Sequence, residues 1–586
     1  MTFRDRLTRK NLLIAATVFA IALIAGAYVA LRRPPRVDMA RYIPANALAF
    51  VEVRNVADLA AGLTDTDAWE EIAPLLGVSS QLRQVGFASD LIGRAGVGPD
   101  EAVIAGRAQY ALVLTAFEAE TGASEDGSFL RLKPSIALVI ETHSDPEDAA
   151  RLVRERAVLL AQRVYGEAAV ESVEDYNGTE LRVFQGPHSD RQVVAAARGS
   201  VIVVANHARV IKPCLDAILG RAPTLAENAT LKERRPAVDH DGSIFAFVSE
   251  SGMQKLIEFG PTIFASRVTT DPERLGSLTS MFGQLSKETI EGLLYGYEFA
   301  SGGAVERYLT VLRPQVAEAL ADPFKKSGDP TFDSLRLVPR EVRDFTILSV
   351  DRAGELPERA LKQLSPNVDV VAGLAFREFV LNFREQLGLE PGESIGDAVG
   401  NEITLLKFDD AEPTAMIVSV RDKERIRPVV EKYLRRDNST VSEEGYKGTA
   451  ISLSSNEDGR AAALVGDYLA LGTRDQIARL IDAASSGANL ASDERVKRLI
   501  AERPANSSVI SYKPEQREVG ELMLAVSKVT RTTDGSRDLL EQDRIKAALN
   551  DLSPSVSFTE FRSSGVYTEV RSPVGSLTLL GSLAEE

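Results

Sequence analysis

The feature that most constrains this chain is an uncharged run of twenty residues near its N-terminus, Leu12 to Leu31 (LLIAATVFAIALIAGAYVAL). At about 1.5 Å per helical residue, such a run would span about 30 Å, the thickness of the hydrocarbon core of a bilayer. Basic residues flank it on both sides: Arg4, Arg6, Arg9 and Lys10 before it, and Arg32, Arg33 and Arg36 after it. The sequence therefore predicts a short cytoplasmic tail (1–11), a transmembrane helix (12–31) and a linker (32–37) ahead of the main body.

The alternative is a cleaved secretory signal peptide, whose apolar segment usually has about 7–15 residues before a polar cleavage site. Here the apolar run is longer and leads directly into Arg32-Arg33-Pro34-Pro35, which favours an uncleaved anchor. Four basic residues precede the run and three follow it, and by the positive-inside rule this places the body outside the cytoplasm. We therefore expect the protein in the cytoplasmic (inner) membrane, in contact with the lipid bilayer through Leu12–Leu31, with its body on the extracytoplasmic side.

Composition bounds what the body can do. The whole chain's hydrophobic content of 44% and charged content of 26% are globular values, so the body can form a sizeable core. A net charge of −16 argues against a nucleic-acid partner, because binding phosphates requires clustered Lys and Arg. The single cysteine, Cys214, excludes an intramolecular disulfide.

The body contains an internal repeat. Five short patterns recur in the same order: Tyr42-Ile43-Pro44 and Leu337-Val338-Pro339, Ala137–Ile140 and Ala415–Val418, Tyr176–Thr179 and Tyr446–Thr449, Gly199–Val203 and Gly466–Ala470, and Tyr297–Ser301 and Thr559–Ser563. The offset falls steadily, from 339 − 44 = 295 to 560 − 298 = 262, as expected for colinear copies of which the second has shorter loops. We predict two homologous lobes, 38–314 and 335–586, joined by a linker at 315–334.

Periodicity predicts the elements of each lobe. Short apolar or alternating runs between turn signals indicate strands at 47–53, 110–114, 136–141, 193–197 and 201–205. Capping boxes at Ser144–Glu147 and Thr473–Gln476 predict helix starts, the first helix reaching about Val164. In the first copy, the helix equivalent to the one that starts at Thr473 contains Pro213, which should kink or shorten it. The acidic segment Phe117–Ala137 is expected to be a hairpin-like connection. The predicted fold class is α+β, with an N-terminal transmembrane helix followed by two homologous lobes of mostly antiparallel sheet with amphipathic helices.

These features together resemble a known bacterial family. A membrane helix, a small-Pro-Ala opening before an apolar strand, and the Gly-x-Glu strand entry at Gly400-Asn401-Glu402 are similar to membrane-anchored extracytoplasmic proteins grouped as domain of unknown function 3352. The first copy departs from this pattern, with Gly106-Arg107-Ala108 at the expected place of Gly-x-Glu. The resemblance implies a location and an architecture, and it brings no catalytic, cofactor-binding or metal-binding residues.

Reactive or metal-binding residues are sparse. Cys214 corresponds to Leu480 on the apolar stripe of the second-copy helix, so a buried, inert thiol is expected rather than a nucleophile. The histidines, His143, His188, His207 and His240, do not stand at metal-ligand spacing. His207 aligns with Thr473 at a helix start, which favours a capping or solvent-exposed role.

Three further motifs are better explained by structure than by chemistry. Asp239-His240-Asp241-Gly242 lacks the additional carboxylates of a calcium loop, so a solvated loop is favoured. Gly93–Pro99 lacks the ending of a phosphate-binding loop and is expected to be a turn. Asn-x-Ser/Thr sites occur at Asn177, Asn228, Asn438 and Asn506, which matter only if the host glycosylates exported chains. We therefore predict no catalytic, cofactor-binding or metal site, and no cofactor.

Three classes of function remain open. The first is a non-catalytic binding or scaffolding protein with an unknown envelope protein as its partner, and it suits the duplication and the absence of reaction motifs. The second is a carrier or chaperone for lipid or another apolar ligand. The third is an enzyme of unfamiliar type whose carboxylates are dispersed in the sequence. We expect the first, with the carrier as the main alternative.

Overall fold

A computed structural model of the chain describes most of the body. The described residues are 35–76, 99–124, 127–166, 169–186, 192–256, 289–300, 302–324, 332–351, 353–355, 396, 398–409, 412–435, 439–455, 459–513, 516–530, 539–540 and 542–578.

In the N-terminal half, the described fold contains ten strands, seven helices with defined bounds and a further helical segment at 250–256. The strands are β1 Ala49–Val53, β2 Gln109–Ser124, β3 Gly127–Glu141, β4 Val170–Tyr176, β5 Thr179–Gln185, β6 Gln192–Arg198, β7 Val201–Ala205, β8 Ile244–Val248, β9 Ile290–Ala300 and β10 Gly303–Leu312. The helices are α1 Val56–Thr64, α2 Asp67–Ile72, α3 Pro99–Arg107, α4 Pro146–Tyr165, α5 Ala208–Ile218, α6 Ala229–Arg234 and α7 Pro314–Ala321.

The C-terminal half repeats the strand order. Its strands are β11 Asp344–Ser349, β12 Val399–Lys407, β13 Ala415–Val420, β14 Val441–Tyr446, β15 Thr449–Ser454, β16 Arg460–Val465, β17 Tyr468–Thr473, β18 Val509–Lys513, β19 Ser555–Arg562 and β20 Gly565–Ser572. Its helices are α8 Lys423–Leu434, α9 Arg474–Ser486, α10 Glu494–Ala501, α11 Gln516–Thr530 and α12 Asp543–Asp551.

All twenty described strands belong to one antiparallel sheet. The pairings give the spatial order β4-β5-β6-β7-β3-β2-β1-β8-β9-β10-β20-β19-β18-β11-β12-β13-β17-β16-β15-β14. Reading from either end gives the same succession of equivalent strands, so the sheet has a pseudo-twofold axis between β10 and β20. The bridges Pro44–Thr224 and Pro339–Asn489 repeat as well.

Arg307 and Glu569 lie at this axis. Gly303 and Gly565 begin β10 and β20, so equivalent residues of these strands differ by 565 − 303 = 262 positions, and 307 + 262 = 569. Arg307 and Glu569 are therefore equivalent residues, and they are also direct partners across the strand pair. Their side chains form an ion pair, with Arg307 Nε 3.3 Å from Glu569 Oε2. A strictly symmetric junction would bring like charges together at this point.

Each half has a large apolar core cluster, and another cluster joins the two halves. Phe50, Phe245 and Ile211 belong to the N-terminal core, and their counterparts in the other half form a separate cluster. The third cluster combines Trp69 of α2 with Met523 of α11 and other residues from both halves. The two halves therefore share buried apolar surface as well as the β10–β20 pairing.

Several expectations about local structure are met. Thr473 forms a capping box with Gln476 at the start of α9, which confirms that prediction. The side chain of His207 caps α5, with Nδ1 accepting a hydrogen bond from the Arg209 N–H at 3.1 Å. Pro213 lies inside α5, which has 11 residues against 13 in α9, so the first-copy helix is indeed shorter.

Other local expectations are corrected. Helix α4 begins at Pro146 with Asp145 as its N-cap, and no side-chain capping bond forms there, so the Ser144–Glu147 capping box is wrong. Ser144 Oγ instead lies 2.8 Å from Thr142 Oγ1, because the two hydroxyls satisfy each other locally. The acidic segment after Phe117 is the expected hairpin, in which β2 and β3 remain paired as far as Ser124 and Gly127.

The expected fold class included an N-terminal transmembrane helix, and this part is corrected. Across the described ranges, no helix is long and apolar enough to cross a membrane, so the described fold is α+β without a membrane-spanning helix. The segment Leu12–Leu31 lies outside the described residues. The predicted boundaries 38–314, 315–334 and 335–586 stay predictions, although helix α7 occupies the start of the segment expected to be a linker. The predicted localisation also stays a prediction.

Candidate functional site

A cavity of about 540 Å³ lies where the two halves meet. We call it the junction cavity. The N-terminal half contributes the start of α2, the turn between β9 and β10 and the side chain of Arg307, and the C-terminal half contributes α10, the chain after α12 and the end of β20. Its volume falls within the range of small-molecule sites, about 300–1,000 Å³.

Arg307 is the most buried of the charged residues that line the junction cavity. The residue is 8% exposed, and its Nη2 donates a hydrogen bond to Glu298 Oε1 at 2.7 Å. Burial opposes the charge on Arg307, but the hydrogen bond and the negative charges of Glu298 and Glu569 outweigh it and raise the pKa of Arg307. The Nε atom of Arg307 makes no hydrogen bond within the described residues, although it is ion-paired with Glu569.

A second arginine links the sheet to helix α10. Arg571 Nη1 lies 2.7 Å from Glu502 Oε2, and Nη2 donates to the Glu502 carbonyl oxygen at 2.8 Å. The same guanidinium donates through Nε to Glu569 Oε1 at 3.0 Å. Arg571 is thereby fixed in one position, which presents a pre-organised polar wall to the cavity.

The residues that line the junction cavity in the described part of the chain include no histidine, cysteine, lysine or tyrosine. Glu298 and Glu502, the two lining carboxylates with arginine partners, are held by Arg307 and Arg571, so neither is free to act as a general base. This arrangement can bind and orient a polar ligand.

A second concave surface is apolar. This groove, about 320 Å³ in volume, lies between α3, α4 and strands β2, β3, β6 and β7. Ile104, Leu138 and Leu160 are among its lining residues, and the Glu101–Arg156 ion pair borders it. Four apolar side chains of α3 and α4 are exposed nearby: Val103, Leu159, Leu160 and Val164. We call this surface the apolar groove.

The Asp239–Gly242 motif forms part of a buried ionic cluster. Asp239 binds two arginines: Arg235 Nε donates to its Oδ2 at 2.7 Å, and Arg54 Nη2 makes a short contact with the same oxygen. Arg235 Nη2 also donates to Glu52 Oε2 at 2.8 Å, and Arg54 Nη1 donates to the Gly242 carbonyl oxygen. The solvated-loop expectation therefore holds for exposed His240 but not for Asp239, whose side chain is 5% exposed.

Cys214 is fully buried in the N-terminal core, like its equivalent Leu480 in the other half. Burial raises the pKa of its thiol to about 12, which makes it a poor nucleophile. His143 Nε2 lies 3.1 Å from Gln109 Oε1, and burial lowers the pKa of His143, opposed by the nearby Glu141 charge.

The structure does not assemble the remaining motifs into a site. His188, Asn438 and Gly93–Gly98 lie outside the described residues. Asn177 lies in the β4–β5 turn, Asn228 caps α6, and Asn506 is an exposed turn residue. No group of three or more His, Cys, Asp or Glu side chains suited to a metal occurs in the portion of the chain described.

The Gly-x-Glu pattern has a structural role. Glu402 is 4% exposed, and its carboxylate accepts hydrogen bonds from the N–H groups of Asp333 and Ser334. Across the sheet, Glu52 of β1 lies opposite Ala111 of β2, and the equivalent Ile347 of β11 lies opposite Thr404 of β12. Equivalent residues of β2 and β12 therefore differ by 404 − 111 = 293 positions. The residue equivalent to 402 is then 402 − 293 = 109. The equivalent of Glu402 is Gln109, and the alignment with Gly106-Arg107-Ala108 was one residue out of register.

Sequence reasoning missed the residues of the junction cavity. Arg307, Arg498 and Arg571 lie far from one another in the sequence, and no spacing marks them as a set. The repeat contained one usable signal, because the equivalents of Arg571 and Arg498 are Leu309 (571 − 262) and Glu233 (498 − 265). A residue that changes from apolar or acidic to basic between copies is one that the shared fold does not require.

Comparison with known proteins gives a family and no function. No protein with a curated description and no solved structure matches the chain. The family described as protein of unknown function (DUF3352) matches residues 395–544, which cover the C-terminal half from just before β12 to the start of α12. This match confirms the predicted resemblance to the domain of unknown function 3352 family for residues 395–544, while the membrane-anchored part of that resemblance stays a prediction.

Proposed function

We propose that this protein is a non-catalytic binding protein whose ligand occupies the junction cavity. The observation that carries the proposal is that both halves contribute charged side chains, already fixed by ion pairs, to one cavity of about 540 Å³. Pre-organised polar groups lower the entropic cost of binding, because they need not be ordered when the ligand arrives. A site built from both copies also gives the duplication a purpose that one lobe could not serve.

A cavity-filling substitution tests this proposal. Ser553 is exposed and lines the junction cavity, so Ser553→Trp should fill it with little effect on the core. Ser563 is exposed in the β19–β20 turn and does not line the cavity, so Ser563→Trp is the matched control.

Native mass spectrometry of protein purified from its host gives the measurement. We expect a small-molecule adduct on the unmodified protein and on Ser563→Trp, and its loss from Ser553→Trp. An adduct of the same mass and occupancy on all three proteins, or no adduct on any, would exclude the junction cavity as the binding site.

The second candidate function is carriage of an apolar ligand, and the apolar groove favours it. Its lining is almost entirely apolar, and exposed Leu160 and Val164 extend the apolar surface along α4. A single acyl chain is the ligand whose shape suits a narrow groove between a helix pair and a sheet.

Two leucines of α4 provide a matched test of this alternative. Leu160 lines the groove at 40% exposure, while Leu159 is 51% exposed and does not line it. In a titration with a fluorescent fatty acid, Leu160→Gln should weaken binding while Leu159→Gln should leave it unchanged. Equal binding by both variants would place any fatty acid elsewhere on the surface.

A further inference from the structure

Two charged side chains of the junction cavity have no charged partner within the described residues. Arg307, Arg571 and Arg495 are each paired with carboxylates, namely Glu298, Glu569, Glu502 and Asp493. Asp67 and Arg498 also line the cavity, and neither side chain makes an ion pair or hydrogen bond there. One is an anion from the N-terminal half, and the other is a cation from the C-terminal half.

The Asp67 carboxylate is seated on the turn between β9 and β10. Asp67 N–H donates a hydrogen bond to the Gly302 carbonyl oxygen at 2.7 Å. Gly302 has φ +77°, and a Cβ atom at this position would lie only 2.4 Å from Asp67 Oδ1. Glycine is therefore needed at 302 both for its backbone conformation and to leave room for the carboxylate.

Arg498 occupies the last turn of α10. Its neighbour Lys497 is engaged with Glu494 at 2.7 Å, whereas the guanidinium of Arg498 makes no hydrogen bond to any residue in the described ranges. At the C-terminal end of α10, the helix dipole favours the positive charge of Arg498 without using its hydrogen-bonding capacity.

We propose that the ligand of the junction cavity is a zwitterion with separated ends, such as a short peptide with free termini. Its ammonium group pairs with Asp67 and its carboxylate with Arg498, so the bound molecule bridges the two halves. The other lining arginines and glutamates are already engaged in ion pairs, so a ligand with a large net charge would bring an unpaired charge into the cavity. This inference rests on the proposed function and specifies the ligand class of the same site.

Calorimetric titration of the full chain with three probes tests the ligand class. The probes are alanyl-alanine, its N-acetyl derivative, which lacks the ammonium group, and its C-terminal amide, which lacks the carboxylate. We expect alanyl-alanine to bind about tenfold more tightly than either blocked probe, the loss typical of one charge-assisted hydrogen bond.

Two variants assign each end of the ligand. With Asp67→Asn, the N-acetyl and free peptides should bind equally, while the amide should still bind less well. With Arg498→Gln, the amide and free peptides should bind equally. The controls are Asp65→Asn and Lys497→Gln, at exposed neighbouring residues. Both should still bind alanyl-alanine more tightly than either blocked probe, as the unmodified protein does.

The outcomes separate this inference from the proposal on which it rests. If all three probes bind equally and Ser553→Trp abolishes that binding, a binding site in the junction cavity would remain but the zwitterion would be overturned. Binding of all three that is insensitive to Ser553→Trp would overturn both. No detectable binding of alanyl-alanine at millimolar concentration would overturn the zwitterion, whatever adduct mass spectrometry finds.

Discussion

The two halves of the sheet share one topology, yet one equivalent region contains charged residues in one half and mostly apolar residues in the other. The N-terminal half contains a buried ionic cluster, and the C-terminal half contains mostly apolar residues there. The offsets 349 − 54 = 295 and 508 − 243 = 265 follow from the matching hydrogen bonds of Arg54 to Ser243 and Ser349 to Ser508. The equivalent pairs are Glu52 and Ile347, Arg54 and Ser349, Arg235 and Ile500, and Asp239 and Pro504.

This difference shows that the ionic cluster is not needed for the fold. A buried ion pair gains little over apolar packing, because the attraction between its charges is offset by the cost of removing them from water. Removing one partner is a different matter, since it leaves an uncompensated charge. The same backbone therefore tolerates a complete ionic cluster or apolar packing, but not an ionic cluster that has lost one partner.

The largest expected effect comes from breaking the ionic cluster. Arg54→Ala should lower the free energy of unfolding by about 3–5 kcal/mol, because Glu52 and Asp239 would remain buried without it. The equivalent change, Ser349→Ala, should cost less than about 1 kcal/mol. Urea denaturation followed by the fluorescence of Trp69 measures both, and equal losses would refute the contrast.

The junction between the halves offers the next test. A double-mutant cycle with Arg307→Met and Glu569→Met should show a coupling of about 1–3 kcal/mol, because both side chains are largely buried. The exposed pair Lys423–Asp467 is the control, and its coupling should stay below about 1 kcal/mol. A coupling at the axis no larger than in the control would show that opposite charges there do not hold the halves together.

A smaller effect is expected at the equivalent residues Gln109 and Glu402. Glu402 accepts from two N–H groups, whereas Gln109 accepts from Val37 N–H and donates to Val37 C=O. Glu402→Gln and Gln109→Glu should each lower stability by about 1–2 kcal/mol, because each puts the wrong group in a buried hydrogen bond. Thermal unfolding measures the change, and a neutral result for either exchange would mean that the two positions are interchangeable.

The smallest effect concerns Cys214, the equivalent of Leu480. Because burial raises the pKa of Cys214 to about 12, the folded state retains the proton more tightly than the unfolded state. Its contribution to stability is present below the unfolded pKa and is lost as pH rises towards the folded value. Between pH 7 and pH 9 the unmodified protein should lose about 1 kcal/mol relative to Cys214→Ala.

The corresponding measurement is urea denaturation of both proteins at the two pH values. Thiol labelling gives an independent check, since native Cys214 should react only after unfolding. Rapid labelling of the native protein, or parallel pH profiles for the two proteins, would contradict the buried, protonated thiol.

Local patterns were sufficient for much of the fold. The stripe of Ile477, Leu480 and Ile481 predicted the buried face of α9 and, through the repeat, the burial of Cys214. The Thr473 capping box was predictable because its hydrogen bonds join residues three apart. The same logic failed at Ser144, where a neighbouring hydroxyl offered a competing partner.

The sequence by itself determined the repeat, the alternation of strands and helices within each copy, and the helix faces that become core. These depend on contacts between residues close in the chain, and periodicity records them. Only the tertiary structure decided that β10 pairs with β20, that Arg307 meets Glu569, and that Asp67 and Arg498 line one cavity. Those contacts join residues hundreds of positions apart, and their register depends on the geometry of the whole sheet, which short-range patterns do not encode.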